Sequence, residues 1–239
     1  KGVNAYHVGD KVVSNGCHAE YVVVSENLCS RIDENTDIKE AAFTVLGSIA
    51  LHGLRLSETS LGSKVVVVGL GVIGHLVCRL AEAQGSEVIG IDPDPERTKY
   101  GDNFFTSVDD VELKDVDTVI ITAATSSNEP IELATKIARN KAKIVVVGDI
   151  PLNISRNDFY YKELELVVSK SYGPGRYDKQ YEALGNDYPI EYVRWTENRN
   201  FEAFTKLLSQ KQIHLLDLVS EVIAFEDAPS VYKKFDLNF

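Results

Sequence analysis

The chain has 239 residues and contains no methionine, one tryptophan and three cysteines. Cys17, Cys29 and Cys78 are far apart, form no CxxC and leave an odd count, which excludes a disulfide framework and points to reduced thiols. Positive charge is scarce, with 25 Lys and Arg against 36 Asp and Glu, for a net charge of −11. The resulting field repels nucleic acid and anionic membrane surfaces, so neither is expected as a partner. It does not repel an anion held by local amides. No apolar run approaches the roughly 20 residues needed to cross a bilayer, and KGVNAYHVGD has no signal-peptide pattern. Cytoplasm is the expected location. The missing methionine and the start in mid-pattern at Lys1 lead us to expect a longer gene product.

The densest information lies between Lys64 and Asp92. Val65 to Val68 form a β-branched run suited to a strand buried on both faces, and it ends at Gly69-x-Gly71-x-x-Gly74. Ile73, Leu76, Val77, Leu80 and Ala81 recur at helical spacing, with Gly85 placed to end the helix, and Glu87 to Ile91 supply a second strand. In such a turn Gly69 permits the bend, Gly71 lets a pyrophosphate approach the backbone, and Gly74 lets the helix press on the strand. The amides of Val72 and Ile73 would then face the phosphates. Asp92, at the tip of the second strand, can accept from the adenosine ribose hydroxyls and would repel a 2′-phosphate, which favours NAD(H) over NADP(H). Arg97 is the nearest group that could neutralise it. The bland alternative is three glycines that merely tighten a turn.

Around this unit the chain predicts an α/β fold with a doubly wound parallel sheet. Further strands are expected near Phe104-Phe105, at Asp117–Ile121, at Lys143–Val147 and at Leu164–Val168, with a helix opening at Asn128-Glu129-Pro130 and buried through Ile131, Ala134, Ile137 and Ala138. The small residues after the fourth and fifth strands, Ala123-Ala124 and Val147-Gly148, are expected to line the nicotinamide side of the cleft. Residues 1–57 look β-rich, with a strand over Ala19–Val24 by alternation, and then pass into one helix over Ile38–Leu56. A helix near Phe201–Leu208 and a strand near Leu218–Ala224 form a tail expected to pack back on that first region.

These segments together resemble the medium-chain dehydrogenase/reductase superfamily, the alcohol-dehydrogenase-like enzymes. Val8-Gly9-Asp10-Lys11-Val12 resembles its GD(R/K)V turn, His18-Ala19-Glu20-Tyr21-Val22 its AEYV strand, Glu40-Ala41-Ala42 the start of its linking helix, and Val66 to Gly74 its nucleotide fingerprint. The resemblance implies a partial GroES-like catalytic domain from 1–57 and 195–239 and a Rossmann domain over 58–194. A narrower resemblance, through Phe43-Thr44-Val45-Leu46-Gly47, Gly173-Pro174-Gly175-Arg176-Tyr177-Asp178 and Tyr192-Val193-Arg194-Trp195-Thr196-Glu197-Asn198, is to the corresponding half of two-part oxidoreductases of bacterial polysaccharide clusters. It implies a homodimer paired through the edge strand Leu164–Ser169.

The resemblance also carries an expectation about metal. The four-cysteine zinc lobe of alcohol dehydrogenases is absent after Val13, and Val45-Leu46 stand where a zinc ligand is expected. We therefore expect hydride transfer between NAD(H) and a small alcohol or carbonyl substrate without zinc. The proton-relay residue is not identifiable. His52 could approach a nicotinamide or simply pack; His75 could touch the pyrophosphate or face solvent; Cys17 and Cys78 read as small core residues. Two rivals stay open at this point: a dinucleotide-binding partner or sensor domain without catalysis, and a methyltransferase.

Overall fold

The computed structural model describes residues 5–233. Its centre is a six-stranded sheet made of β3 (Lys64–Val68), β4 (Glu87–Ile91), β5 (Phe104–Phe105), β6 (Val116–Ile121), β7 (Ala138–Val146) and β8 (Glu165–Val168). All neighbours are parallel, in the order β5-β4-β3-β6-β7-β8. The order reverses between β3 and β6, which opens a crevice beyond the carboxyl ends of those strands.

Alternation along β3 explains why both faces are covered. Val65 and Val67 enter a core with α2 (Thr44–Leu56), α3 (Val72–Ala83) and α8 (Glu197–Ser209). Val66 and Val68 enter a second core with α5 (Glu129–Ile137), while Phe159 of α6 (Arg156–Lys162) packs on its margin. A strand with apolar side chains on both faces cannot have a solvated face, so helices must lie on each side. Helix α3 ends as expected at Gly85, whose φ of +88° is a left-handed cap that releases the chain into β4.

The first region carries a two-stranded antiparallel ribbon, β1 (Val12–Ser14) with β2 (Cys29–Arg31). Helix α8 joins it to the sheet domain. Asn198 donates to the Cys29 carbonyl at 2.8 Å, while Phe204 and Leu208 sink into the core shared with α2 and α3. The tail is also tied back: the Leu215 amide donates to Glu40 Oε1 at 2.6 Å, so the glutamate of the EAA segment serves as a buried anchor.

Several expectations need correction. Residues 19–24 form no strand; no ladder partner lies beside them among the described residues, and Tyr21 and Val23 are exposed. Leu218–Ala224 likewise form no strand, but a 3-10 turn over Leu216–Leu218 followed by irregular chain. Alternation alone does not make a strand when no neighbour supplies the hydrogen bonds. The linking helix is two helices, α1 (Ile38–Ala41) and α2, separated at Ala42-Phe43. Beyond that break Gly47 meets the Phe204 ring so closely that an added Cβ would stand 2.2 Å from it. Ala138 opens β7 instead of closing α5, and the pairing with β6 jumps from Val116↔Ala138 to Thr118↔Lys143, with Lys141 at a φ of +61° in the bulge. Cys17 is exposed, whereas Cys78 is fully buried as expected and burial pushes its thiol upward.

Candidate functional site

A cavity of about 680 Å³ lies in the crevice at the ends of β3, β4 and β6. It brings together Gly69, Gly71, Asp92, Arg97, Ala123 and Ala124. Val72, Ile73, Gly74, Val147 and Gly148 fall outside its lining. Val72 is half exposed at the start of α3, whereas Ile73 packs on the core. Gly148 lies directly behind, where an added Cβ would stand 2.0 Å from the Ala123 carbonyl oxygen. Val147 turns to Gly53 of α2.

The three fingerprint glycines do different things. Gly69 has a φ of +97°, and its amide donates to the Ile91 carbonyl, so the turn bends in a conformation that L side chains disfavour. Gly74 must be small because an added Cβ would stand 2.0 Å from the Gly69 carbonyl oxygen. Gly71 has an ordinary φ of −70°, and nothing lies within 4 Å of the place a Cβ would take. Neither backbone nor neighbours require a glycine there; the open space faces the cavity. The first-turn amides of Val72 and Ile73 have no intrahelical acceptor, and no other bonded acceptor occurs among the described residues. A cradle with free amides and no side chain in its mouth suits the pyrophosphate of a dinucleotide.

Asp92 sits at the far wall, 2% exposed. Its Oδ2 accepts from the Leu70 amide at 2.7 Å and from Arg97 Nη1 at 3.3 Å, and its Oδ1 accepts from the Asp94 amide at 2.9 Å. Thr106, Ser107 and Val108 complete that wall, and Ser127, Pro130 and Leu133 face them from the α5 side. No motif announced these six. Their traces in the sequence are indirect: the Ser107-x-x-Asp110 capping box after Phe104-Phe105 marks the loop at a strand end, and Asn128-Glu129-Pro130 opens the helix that carries Pro130 and Leu133.

The histidines do not enter the cavity. His52 is buried on α2 against Gly173, and burial, helped by Arg55, lowers its pKa to about 4. His75 is buried too, neither solvent-facing nor at the phosphate cradle; it packs on Tyr100 and Phe104 with ring centroids 5.1 and 5.6 Å away. Val45 and Leu46 stand in the first turn of α2, and no group of three or more His, Cys, Asp or Glu capable of holding a metal occurs among the described residues.

The comparison with known families decides what this crevice belongs to. Residues 38–157 match the family model described as D-isomer specific 2-hydroxyacid dehydrogenase, NAD binding domain. The chain belongs to this family of NAD-binding domains. Its relatives and structural neighbours bear the names of alcohol, polyol and sugar dehydrogenases. The 2-dehydro-3-deoxy-L-galactonate 5-dehydrogenase of Pseudoalteromonas atlantica is 26% identical over 87% of the chain. The chain spans 58% of the length of that relative. Among solved structures, 2R,3R-butanediol dehydrogenase from Bacillus subtilis superposes with a TM-score of 0.73 at 20% identity, covering 98% of this chain and 73% of that one. A zinc-binding dehydrogenase of Sinorhizobium meliloti 1021 bound to NADP gives 0.70 at 22%, covering 90% and 61%. At these identities the likeness is one of fold, and it extends over most of the chain.

Proposed function

We propose that this NAD-binding domain serves hydride transfer between a nicotinamide dinucleotide and the alcohol or carbonyl carbon of a small sugar- or polyol-like substrate. The observation that carries the reading is Gly71, the fingerprint glycine whose side-chain space is empty and opens on the cavity between Asp92 and Ala123. The nicotinamide would supply the hydride chemistry. What the chain contributes is binding and orientation: the turn from Gly69 through Val72 and Ile73 to Gly74 receives the pyrophosphate, Asp92 and Arg97 face the adenosine ribose, and Ala123 and Ala124 leave room toward the ring, with Gly148 packed behind them and Val147 turned to α2. Asp92 favours NAD(H), because a 2′-phosphate beside a carboxylate brings like charges together.

The sugar-acid relative supports the substrate class, and the Gly173 to Asp178 segment supports a place in cell-surface polysaccharide synthesis. The reading takes residues 1–57 with 195–239 as the catalytic lobe and 58–194 as the Rossmann domain. It takes β8, whose outer edge has no strand partner among the described residues, as the line along which two copies pair. No zinc takes part in the site as read, and the protein works in the cytoplasm.

The test is a thermal-shift and fluorescence titration of the whole chain with NADH and S-adenosylmethionine. NADH is expected to raise the melting temperature and to change its own emission; stabilisation by S-adenosylmethionine alone would overturn the reading. A chain that binds NADH but, with its full-length context, oxidises and reduces no polyol or sugar would be a sensor or partner domain instead.

A further inference from the structure

Arg55, near the end of α2, and Arg194, just before α8, both stack on Trp195, and none of the three lines the dinucleotide crevice. Their guanidinium carbons lie 3.4 and 3.9 Å from the Trp195 ring centroid. Carbon atoms in contact stay about 3.5–4.0 Å apart, so two of them at these distances cannot share one face of the ring. They flank the indole, no more than about 7 Å from each other. We infer that this clamp is a receptor for a phosphate group, free or as the monoester of a small molecule, held by Arg55 and Arg194 at the edge of the Trp195 indole.

The charges of the clamp have no answer within the chain. Acids outnumber bases, and Arg31, Arg79, Arg139, Arg176 and Arg199 each pair with a carboxylate, yet neither Arg55 nor Arg194 does so among the described residues. Arg55 spends only its Nε, which donates to Asn200 Oδ1 at 3.0 Å. Its remaining N–H groups, all those of Arg194 and the Trp195 Nε1–H meet no acceptor among the described residues, and none of these atoms is sealed from solvent. Burial, joined by the like charge of Arg194, lowers the Arg55 pKa to about 10. The indole faces offer each cation a π contact but no negative charge. Asn200 fixes the geometry, since its Nδ2 donates to the Tyr172 carbonyl at 3.0 Å while its Oδ1 holds Arg55. His52, one turn before Arg55, has its pKa lowered to about 4 and adds no third charge at neutral pH. A phosphate matches what is left over: it carries about −1.5 to −2 charges at pH 7 and three acceptor oxygens, where a carboxylate brings one charge. With charge-assisted contacts of about 2.7–2.9 Å on either side, a tetrahedral group at the pyrrole edge bridges the two forks and accepts from Nε1–H as well.

Trp195 is the single tryptophan of the chain, so its emission reports this site directly. The experiment titrates the whole chain, without dinucleotide, with inorganic phosphate and with glycerol 3-phosphate, and with acetate and chloride as controls at constant ionic strength. The wild type, Arg194→Gln and Arg194→Lys are compared, with the melting temperature of each as a folding control. A saturable change in Trp195 emission, half-complete below about 10 mM, is expected from at least one phosphate probe. It should be tighter at pH 7.5 than at pH 5.5, because the second proton leaves a phosphate monoester near pH 6. Arg194→Gln should weaken it by about tenfold or more, and lysine should recover part of the loss. A preference for the ester identifies a phosphorylated small molecule as the source, and equal or tighter binding of inorganic phosphate identifies the free ion. No saturable change in the wild type with either probe, the same change with acetate or chloride, or unaltered affinity in Arg194→Gln would overturn the inference and leave the three side chains as a packing stack. Phosphate caught in the dinucleotide crevice would not depend on Arg194, so the result is independent of the dinucleotide reading.

Discussion

Gly74 lies against the carbonyl of Gly69 so tightly that a Cβ on Gly74 would stand 2.0 Å from that oxygen. The contact sets how closely α3 approaches β3. A backbone oxygen in a buried turn cannot move aside as a flexible side chain can. Gly74→Ala is therefore expected to cost at least about 1–3 kcal/mol by overpacking. For a chain of this size that lowers the melting temperature by about 2–4 °C per kcal/mol, which a thermal melt without cofactor reads directly. An unchanged melting temperature would show that the helix moves freely on the strand.

Gly71, three residues earlier, should respond in the opposite way. Its φ is allowed to any residue and its Cβ position is empty, so Gly71→Val should melt within about 1 °C of the wild type, as surface substitutions do. The valine would fill the pyrophosphate's approach, and NADH binding should be lost. Retained NADH affinity in a folded Gly71→Val would refute the placement of the phosphates.

The contrast between these glycines also shows where the sequence was legible. The spacing Gly69-x-Gly71-x-x-Gly74, the valine run before it and Asp92 after it fixed the crevice, because each imposes a constraint that neighbouring residues cannot override. The wall formed by Thr106, Ser107, Val108, Ser127, Pro130 and Leu133 is not legible, since it is assembled from the segment after β5, the loop before α5 and the first turns of α5, three pieces whose meeting no single periodicity encodes. Ala19–Val24 and Leu218–Ala224 depart from expectation for a different reason: alternation describes a surface that could pair, while pairing depends on a neighbour that the segment itself does not encode. His75 is neither at the phosphates nor in solvent because Tyr100 and Phe104, distant in sequence from the first turn of α3, pack around its ring.

The reading without zinc makes a direct prediction. A tetrahedral zinc site needs Cys, His, Asp or Glu side chains converging on one point. At the start of α2 the chain instead presents Val45 and Leu46, and the described residues hold no converging set. Elemental analysis of the purified chain should find no stoichiometric zinc, and NADH affinity should survive strong chelation. One zinc per chain would reverse the assignment.

Glu197 supplies the last prediction. It opens α8 and is fully buried, neither carboxyl oxygen has a hydrogen-bond partner among the described residues, and burial, reinforced by Glu182 and opposed by Arg176, raises its pKa from 4.5 to about 8. A carboxyl whose folded pKa lies above its unfolded one stabilises the fold fully below the unfolded value, and that contribution is lost as pH rises through the folded value. His52 acts in the opposite sense: its pKa, lowered from 6.5 to about 4, costs stability as pH falls between those values. The two effects oppose each other between pH 4.5 and 6.5, and only the Glu197 effect remains between 6.5 and 8. Across that upper window the wild type should lose up to about 1.4 kcal/mol per pH unit from this group. Glu197→Gln, which keeps the shape and cannot ionise, should flatten the decline and exceed the wild type in stability at pH 8. Denaturant melts from pH 6.5 to 8 read both slopes; parallel slopes in the two proteins would mean that Glu197 is ionised throughout and that Arg176 alone compensates it.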